Sequence, residues 1–366
     1  MTNTLWKTNW AETKLHFEQW WRREGLVLGS WGTGLKSPRP PHVAVTPPPA
    51  PTTPEQRHTD PQFVAQHIRY DMAQKIWPAD ILPLCWPDIG TVSLAPYLGA
   101  TQEFAETNIW YHECITDPDT HPPLRFDAAH PACQLLETIV RETVAQSQGN
   151  YLVGMPAIIP NLDVLSELRG AAQLMTDLVD RAEWVHEKLQ EIEAAYMLAF
   201  DRMYDLIKLD DGSMAFGYFM LWGAGKTGLL QCDVAAMISP RMFKRFVVPY
   251  LRQSCQFLQH SMFHVDGHQC LGHVDHLLDI EDLNAIEWTP DPQVPPGGDP
   301  YWYEMYRKIL NANKAVWIAN IDVNDVIPLL DAIGGKGVYL NVITADGVPL
   351  QEADVERMIK MVEPYR

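Results

Sequence analysis

The stretch MFHVDGHQCLGHVDHLLDIEDLNAIEW, residues 262–288, carries the rhythm that decides the fold. A short apolar run, Met262–Val265, is followed by a helical stretch, Leu271–Leu278, and then by a second apolar run, Leu283–Trp288. Runs of this length bounded by Asp and Gly read as buried strands, and a helix between two of them makes a β–α–β unit. The alternation continues in both directions. Further strands are predicted at Leu26–Gly29, Ile81–Trp86, Tyr151–Ala157, Met214–Leu221, Val316–Ala319 and Val338–Val342. Helices are predicted at Val164–Leu178, Trp184–Leu206, Pro240–His260, Tyr301–Asn311 and Val323–Ala332. Ser239-Pro240 reads as a cap and first turn, and Gly334-Gly335 as a helix stop. Eight strands alternating with helices predict an α/β chain folded as a distorted (β/α)8 TIM barrel. No Gly-x-Gly-x-x-Gly opens a helix, which argues against a doubly wound dinucleotide fold.

Before this rhythm begins, the chain has a different character. Residues 1–24 place Trp6, Trp10, Trp20 and Trp21 among charged residues and read as an amphipathic helix ending at Gly25. Residues 38–54 hold eight prolines and can be neither helix nor central strand, so an extended loop is expected. The whole chain, 1–366, is read as one barrel domain, with residues 1–60 as its helical and Pro-rich extension and 61–366 as the barrel proper.

Composition narrows the function. The 28 Lys and Arg against 46 Asp and Glu leave a net charge of −18, the wrong sign for a nucleic-acid or anionic-membrane binder. No run of apolar residues is long enough to span a bilayer, so no membrane partner is expected. Met1–Trp21 lacks an apolar core, so no signal peptide is expected either. The six Cys stand singly and read as reduced thiols, and the expected compartment is the cytoplasm. Trp, at 13 residues, outnumbers Phe at 11, which suggests either packing or an aromatic-lined site.

The strand ends are where barrel enzymes keep their chemistry. Trp86 and Asp88 follow the second strand, and Asp163 follows the third. Tyr218 and Trp222 belong to the fourth, and His264, Asp266 and His268 end the fifth. Glu287 and Trp288 end the sixth, Asn320 the seventh, and Asn341 and Asp346 the eighth. His264 and Asp266, two apart on a strand, face one side, which suits a metal pair, a base with its orienting acid, or a plain hydrogen-bonded His with a helix-capping Asp. Trp86, Asp163, Tyr218, Trp222, His268, Glu287, Trp288, Asn320 and Asn341 are expected to bind substrate, with Trp86, Tyr218, Trp222 and Trp288 as walls. His273, His276, Cys232 and Cys270 are read as structural.

Several segments carry a resemblance: Leu84-Cys85-Trp86-Pro87-Asp88-Ile89, Gly154-Met155-Pro156, Met237–Phe243 running into Phe246–Tyr250, Ile318–Asp322 and Gly335–Asn341. With them the chain, from about Asp80 onward, resembles the uroporphyrinogen decarboxylase superfamily, whose other large branch is the corrinoid-dependent methyltransferases. The resemblance implies a distorted (β/α)8 barrel with an open C-terminal mouth. It does not imply true decarboxylase activity. Where the decarboxylases carry Arg-Gln-Ala-Gly, this chain has Gly29-Ser30-Trp31-Gly32, and their Gly-His-Gly turn is replaced by Ala345-Asp346-Gly347. Their tyrosine after the third strand falls near Leu162-Asp163. Their central Asp alone finds a match, in Asp88, which marks it as catalytic beside His264 and Asp266.

The methyltransferases place His-x-Cys after the fifth strand and Cys after the eighth, together holding zinc. Here the same places hold His264-x-Asp266 and Asp346, implying a His/Asp/Asp centre. Zinc is the first expectation for the divalent metal, and carboxylates in place of thiolates make Mn, Fe or Mg competitive. The alternative is a metal-free acid/base site in which Asp266 orients His264. The expected reaction is methyl transfer to or from a corrinoid on a small polar molecule. The corrinoid would be supplied by a partner protein, because no Asp-x-His-x-x-Gly segment occurs here. Paired carboxylates with Trp platforms leave a lyase or hydrolase on a carbohydrate-like or carboxylated molecule as the alternative. A non-catalytic ligand-binding barrel is the third reading, and a homodimer is compatible with all three.

Overall fold

The computed structural model describes residues 5–32, 34–92, 94–106, 108–343 and 350–366. At its centre lies a six-stranded parallel sheet built from β1 (Leu26–Gly29), β2 (Thr227–Leu230), β3 (His260–Asp266), β4 (Ala285–Thr289), β5 (Ala315–Asp322) and β6 (Val338–Ile343). The spatial order is β1-β6-β5-β4-β3-β2. These strands are buried along nearly their whole length, which is why they read as unbroken apolar runs instead of alternating ones.

Of the six, Thr227–Leu230 has no counterpart among the predicted strands, and the three other predicted runs are present as short pieces. Leu84–Cys85 pairs in parallel with Leu152–Val153, and a single bridge joins Met155 to Phe216 at the end of Ser213–Phe216. Prolines at 83, 87 and 156 flank the first two pieces, and a residue without an N–H cannot extend a ladder. The run Met214–Leu221, predicted as one strand, is a hairpin: Ser213–Phe216 turns through 217–220 and returns antiparallel as Leu221–Ala224. The ladders therefore draw a mixed α/β architecture with six parallel strands at its heart.

Two predicted helices are broken, each for a local reason. Gly170, at φ +87°, separates Leu162–Arg169 from Ala171–Asp180. Pro249 forces a restart at Val247, dividing Pro240–Phe246 from Val248–Phe257. An antiparallel hairpin, Thr101–Phe104 with Ile109–His112, and a long helix, Pro131–Ser147, have no counterpart in the predicted pattern. Among the described residues no helix is long and apolar enough to cross a membrane.

The N-terminal helix α1 (Trp10–Trp21) is shorter than predicted and buries its aromatic face against the sheet. Phe17 and Trp20 meet Tyr339 of β6 edge-on at 5.7 and 5.6 Å. Trp10 meets Trp222 at 5.7 Å, and Trp21 Nε1 donates to the Trp222 carbonyl at 2.9 Å. The Pro-rich segment has no regular structure but is anchored. His42 stacks between Trp6 (4.8 Å) and Trp77 (5.6 Å), and its N–H donates to the Ala73 carbonyl.

A buried polar clasp ties β1, α1 and Arg366 together. Asp80, fully buried, accepts from Leu28 N at 2.9 Å and from Arg366 Nη2 at 3.0 Å, and its other oxygen lies 2.7 Å from His16 Nδ1. Nearby, the buried Lys7 donates to the Trp77 and Ala79 carbonyls, both at 2.7 Å.

Candidate functional site

Strand register assembles the site. His264 pairs with Glu287, Glu287 with Trp317, and Trp317 with Tyr339. Registered residues on parallel neighbours point to the same face, so these four side chains form one row. The Glu287 carboxylate holds Nδ1 of His264, and Thr289 Oγ1 donates to its other oxygen. That leaves His264 Nε2 toward Asp266, whose nearer oxygen lies 3.9 Å away.

A third ligand-bearing group was not foreseen from the sequence. Asp233 opens the turn Asp233–Met237 that follows β2, and one ligand atom from each of Asp233, His264 and Asp266 lies within 4.8 Å of the others. Asp163 explains why that turn is there. Its carboxylate accepts from Asp233 N at 2.9 Å and from Val234 N at 3.0 Å. Asn161, at φ +93°, adds a bond from Nδ2 to the Gln231 carbonyl at 3.3 Å. Asp163, expected to bind substrate, is thus engaged by backbone and positions Asp233.

The electrostatics follow from crowding carboxylates around one imidazole. Burial pulls the His264 pKa down, but Glu287, then Asp266 and Asp233, more than offset this, so the ring holds its proton above the usual imidazole range. Burial pushes the carboxyls of Glu287 and Asp233 upward, against the pull of His264.

A second group forms on the other side of the turn 217–220. Burial raises the Asp88 carboxyl to about 6, despite hydrogen bonds from Gly90 N and the Tyr218 hydroxyl. The Trp86 ring lies 5.7 Å from Tyr218 and packs over Gly217, where any Cβ would sit 2.2 Å from the indole. Trp86, Asp88 and Tyr218 are therefore brought together as expected. The next residue, Phe219, faces His264 with ring centroids 4.6 Å apart, and also touches Trp31 and Trp317, each at 5.4 Å. Phe219 and Met220 both have positive φ, +58° and +48°. Such backbone is costly for bulky residues and collects at functional sites.

Other expected residues fall elsewhere. Trp222 is buried against α1 and is not a pocket wall. Trp288 follows Glu287, so strand alternation sends it to the opposite face, where it packs on Trp302 at 4.7 Å. Glu287 itself lies behind His264, fully buried, and orients the ring. His268 pairs through Nδ1 with Asp291 at 2.7 Å, an acid that the sequence reading missed and that this ring and its N–H hold down at about 2. Asn320, at φ +56°, accepts from Trp31 Nε1 at 2.9 Å. Asn341 is fully buried with no partner for either side-chain atom. Asp346 lies outside the described residues.

Three of the residues read as structural, Cys232, Cys270 and His273, are buried. Burial keeps the Cys232 and Cys270 thiols protonated. His273 lies buried on Phe243 at 4.4 Å, with Nε2 at 2.9 Å from the Ala235 carbonyl.

No family model matches the sequence, and no curated protein matches it. Among solved structures the chain is similar to a methyltransferase from Methanosarcina mazei, at 10% identity. The likeness covers 97% of this chain and 99% of that one, with a TM-score of 0.60. It is a likeness of fold.

Proposed function

We propose that this chain is a methyl-transfer enzyme with a distorted (β/α)8 barrel fold, and that its reacting centre is Asp233, His264 and Asp266. The observation that carries the reading is the Glu287–His264 pair, which turns Nε2 toward two carboxylates. A carboxylate behind a histidine is the usual support of a metal-ligating imidazole, fixing its tautomer and raising its basicity. The donor set fits a divalent cation. One imidazole nitrogen and two carboxylate oxygens make a hard set, suited to Zn, Mn, Fe or Mg, with Asp346 as a further proposed ligand. A cation held there would polarise an oxygen or nitrogen of the substrate, which thiolate-free ligation favours over a thiol.

The chain's own residues do the rest. Phe219 and Trp31 keep the approach to His264 apolar. Asp88, its carboxyl raised by burial to about 6, gives or takes a proton with the Tyr218 hydroxyl beside it. The methyl carrier is proposed to be a corrinoid on a separate protein, docking at the C-terminal ends of the strands. Methylcobalamin is the test reagent. Loss of its methyl group in the presence of enzyme and a small hydroxyl- or amine-bearing acceptor supports the reading, and Asp233→Asn, His264→Ala and Asp266→Asn should each abolish it together with bound metal. Full activity in metal-free protein overturns the metal centre. Turnover of a small polar substrate without any methyl exchange overturns methyl transfer in favour of a lyase or hydrolase working through Asp88.

A further inference from the structure

Asn341 is the one residue of β6 whose side chain the fold leaves unanswered. It is fully buried, and neither Oδ1 nor Nδ2 has a hydrogen-bond partner. Leaving two such atoms dry and unpaired is costly, and native structures retain them where something else completes the bonding. Its direction is set by register. Tyr339, two residues earlier, belongs to the row that includes Trp317, Glu287 and His264, so Asn341 points to that same face, nearer the C-terminal ends of the strands.

Neither neighbouring strand supplies a side-chain partner for it. Across from it on β1 stands Gly29, whose space is taken by the Tyr339 ring, 2.7 Å from where a Cβ would sit, and which offers Asn341 no side-chain partner. On β5 the register slips between Ile318 and Ile321, so that Ala319 and Asn320 together oppose Asn341. Asn320 takes a left-handed backbone there and its amide oxygen is occupied by Trp31 Nε1. Trp31 is itself 37% exposed.

Charge narrows what can bind. The charges acting most strongly on His264, Asp233 and Glu287 are their own and those of Asp163 and Asp266. An anionic substrate would meet carboxylates without a compensating Lys or Arg among these groups.

We propose that Asn341 is a specificity-determining residue that receives an uncharged carboxamide of the substrate, its Oδ1 and Nδ2 matching the amide's donor and acceptor edge. A carboxylate, with two acceptors and no donor, would satisfy Nδ2 but set oxygen against Oδ1. The inference rests on the reading of these strand ends as the reacting site, and it names the substrate class.

Methoxyacetamide and methoxyacetate are the probes, since they share size and an O-methyl group and differ only at this end. Binding to the full chain is followed by saturation-transfer NMR and tryptophan fluorescence. Methoxyacetamide should bind at least about tenfold more tightly than methoxyacetate, the loss expected when a buried amide pair is broken. Asn341→Leu, close in volume, should erase that preference while melting at the same or a higher temperature, because it removes an unpaired amide. Equal binding of the two probes, failure of methoxyacetamide to bind, or a lower melting temperature for Asn341→Leu would each overturn the proposal. Amide preference without methyl transfer would instead sink the proposed function and leave this subsite standing.

Discussion

Glu287 and His264 sit opposite one another on neighbouring parallel strands, and the carboxylate of the first holds the inner nitrogen of the second. The pair is buried, yet its outer nitrogen faces Asp266, a half-exposed acid. Everything proposed for the site depends on that orientation. Glu287→Gln keeps a hydrogen-bonding group but removes the charge behind the ring. Retention of divalent metal should weaken by about 10–100-fold, as read by chelator competition.

His264→Ala tests the same pair from the other side. It leaves Glu287 buried without its cationic partner, and burial already raises that carboxyl. A carboxyl whose folded pKa lies above its unfolded value stabilises the fold at low pH and loses that contribution as pH rises through the folded value. The melting deficit of His264→Ala relative to wild type should therefore grow from acid to neutral pH. A deficit independent of pH would contradict the pairing.

Asp88 gives a second pH signature. Its folded pKa of about 6 stands above the ordinary 3.8, so its contribution to stability is complete below about pH 4 and is lost as pH rises through about 6. Asp88→Asn should match wild type in melting temperature near pH 4 and exceed it at neutral pH. Tyr218→Phe removes a bond that favours the carboxylate, so the acidic limb of the activity profile should move to higher pH.

Trp222 separates packing from function. Its ring is buried against Trp10 and Phe17, so Trp222→Ala should cost about 3–5 kcal/mol in a urea titration. Trp222→Phe should retain probe binding, whereas Phe219→Ala, which strips a ring from His264, should lose it.

The clasp around Asp80 predicts a stability effect far from the chemistry. Asp80→Ala leaves His16, Arg366 and the Leu28 N–H without their buried acceptor, and should cost about 3–5 kcal/mol. Added salt should not mimic the loss, because buried pairs are poorly screened.

Much of the architecture was legible because burial writes itself into local pattern. Leu26–Gly29 is observed as predicted, and all eight apolar runs contain strand. The failures have local causes that a run of apolar letters hides. Met214–Leu221 looks continuous, yet Phe219 and Met220 turn left-handed inside it and send Trp222 back toward α1. Trp288 ends the same run as Glu287, but alternation decides its place: with Glu287 facing His264, its neighbour faces away and packs on Trp302.

The site divides along the same line. By itself the sequence determined that His264 and Asp266 share one side of a strand and that Trp86, Asp88 and Tyr218 gather at strand ends, since spacing along one strand is a local property. Only the tertiary structure decided which acids complete the centre. Register on the neighbouring strand made Glu287 the support behind His264, and Asp163, binding the backbone of a distant turn, brought Asp233 to its open side. Partners across strands are chosen by pairing and by satisfied buried hydrogen bonds, and no single stretch of sequence encodes either.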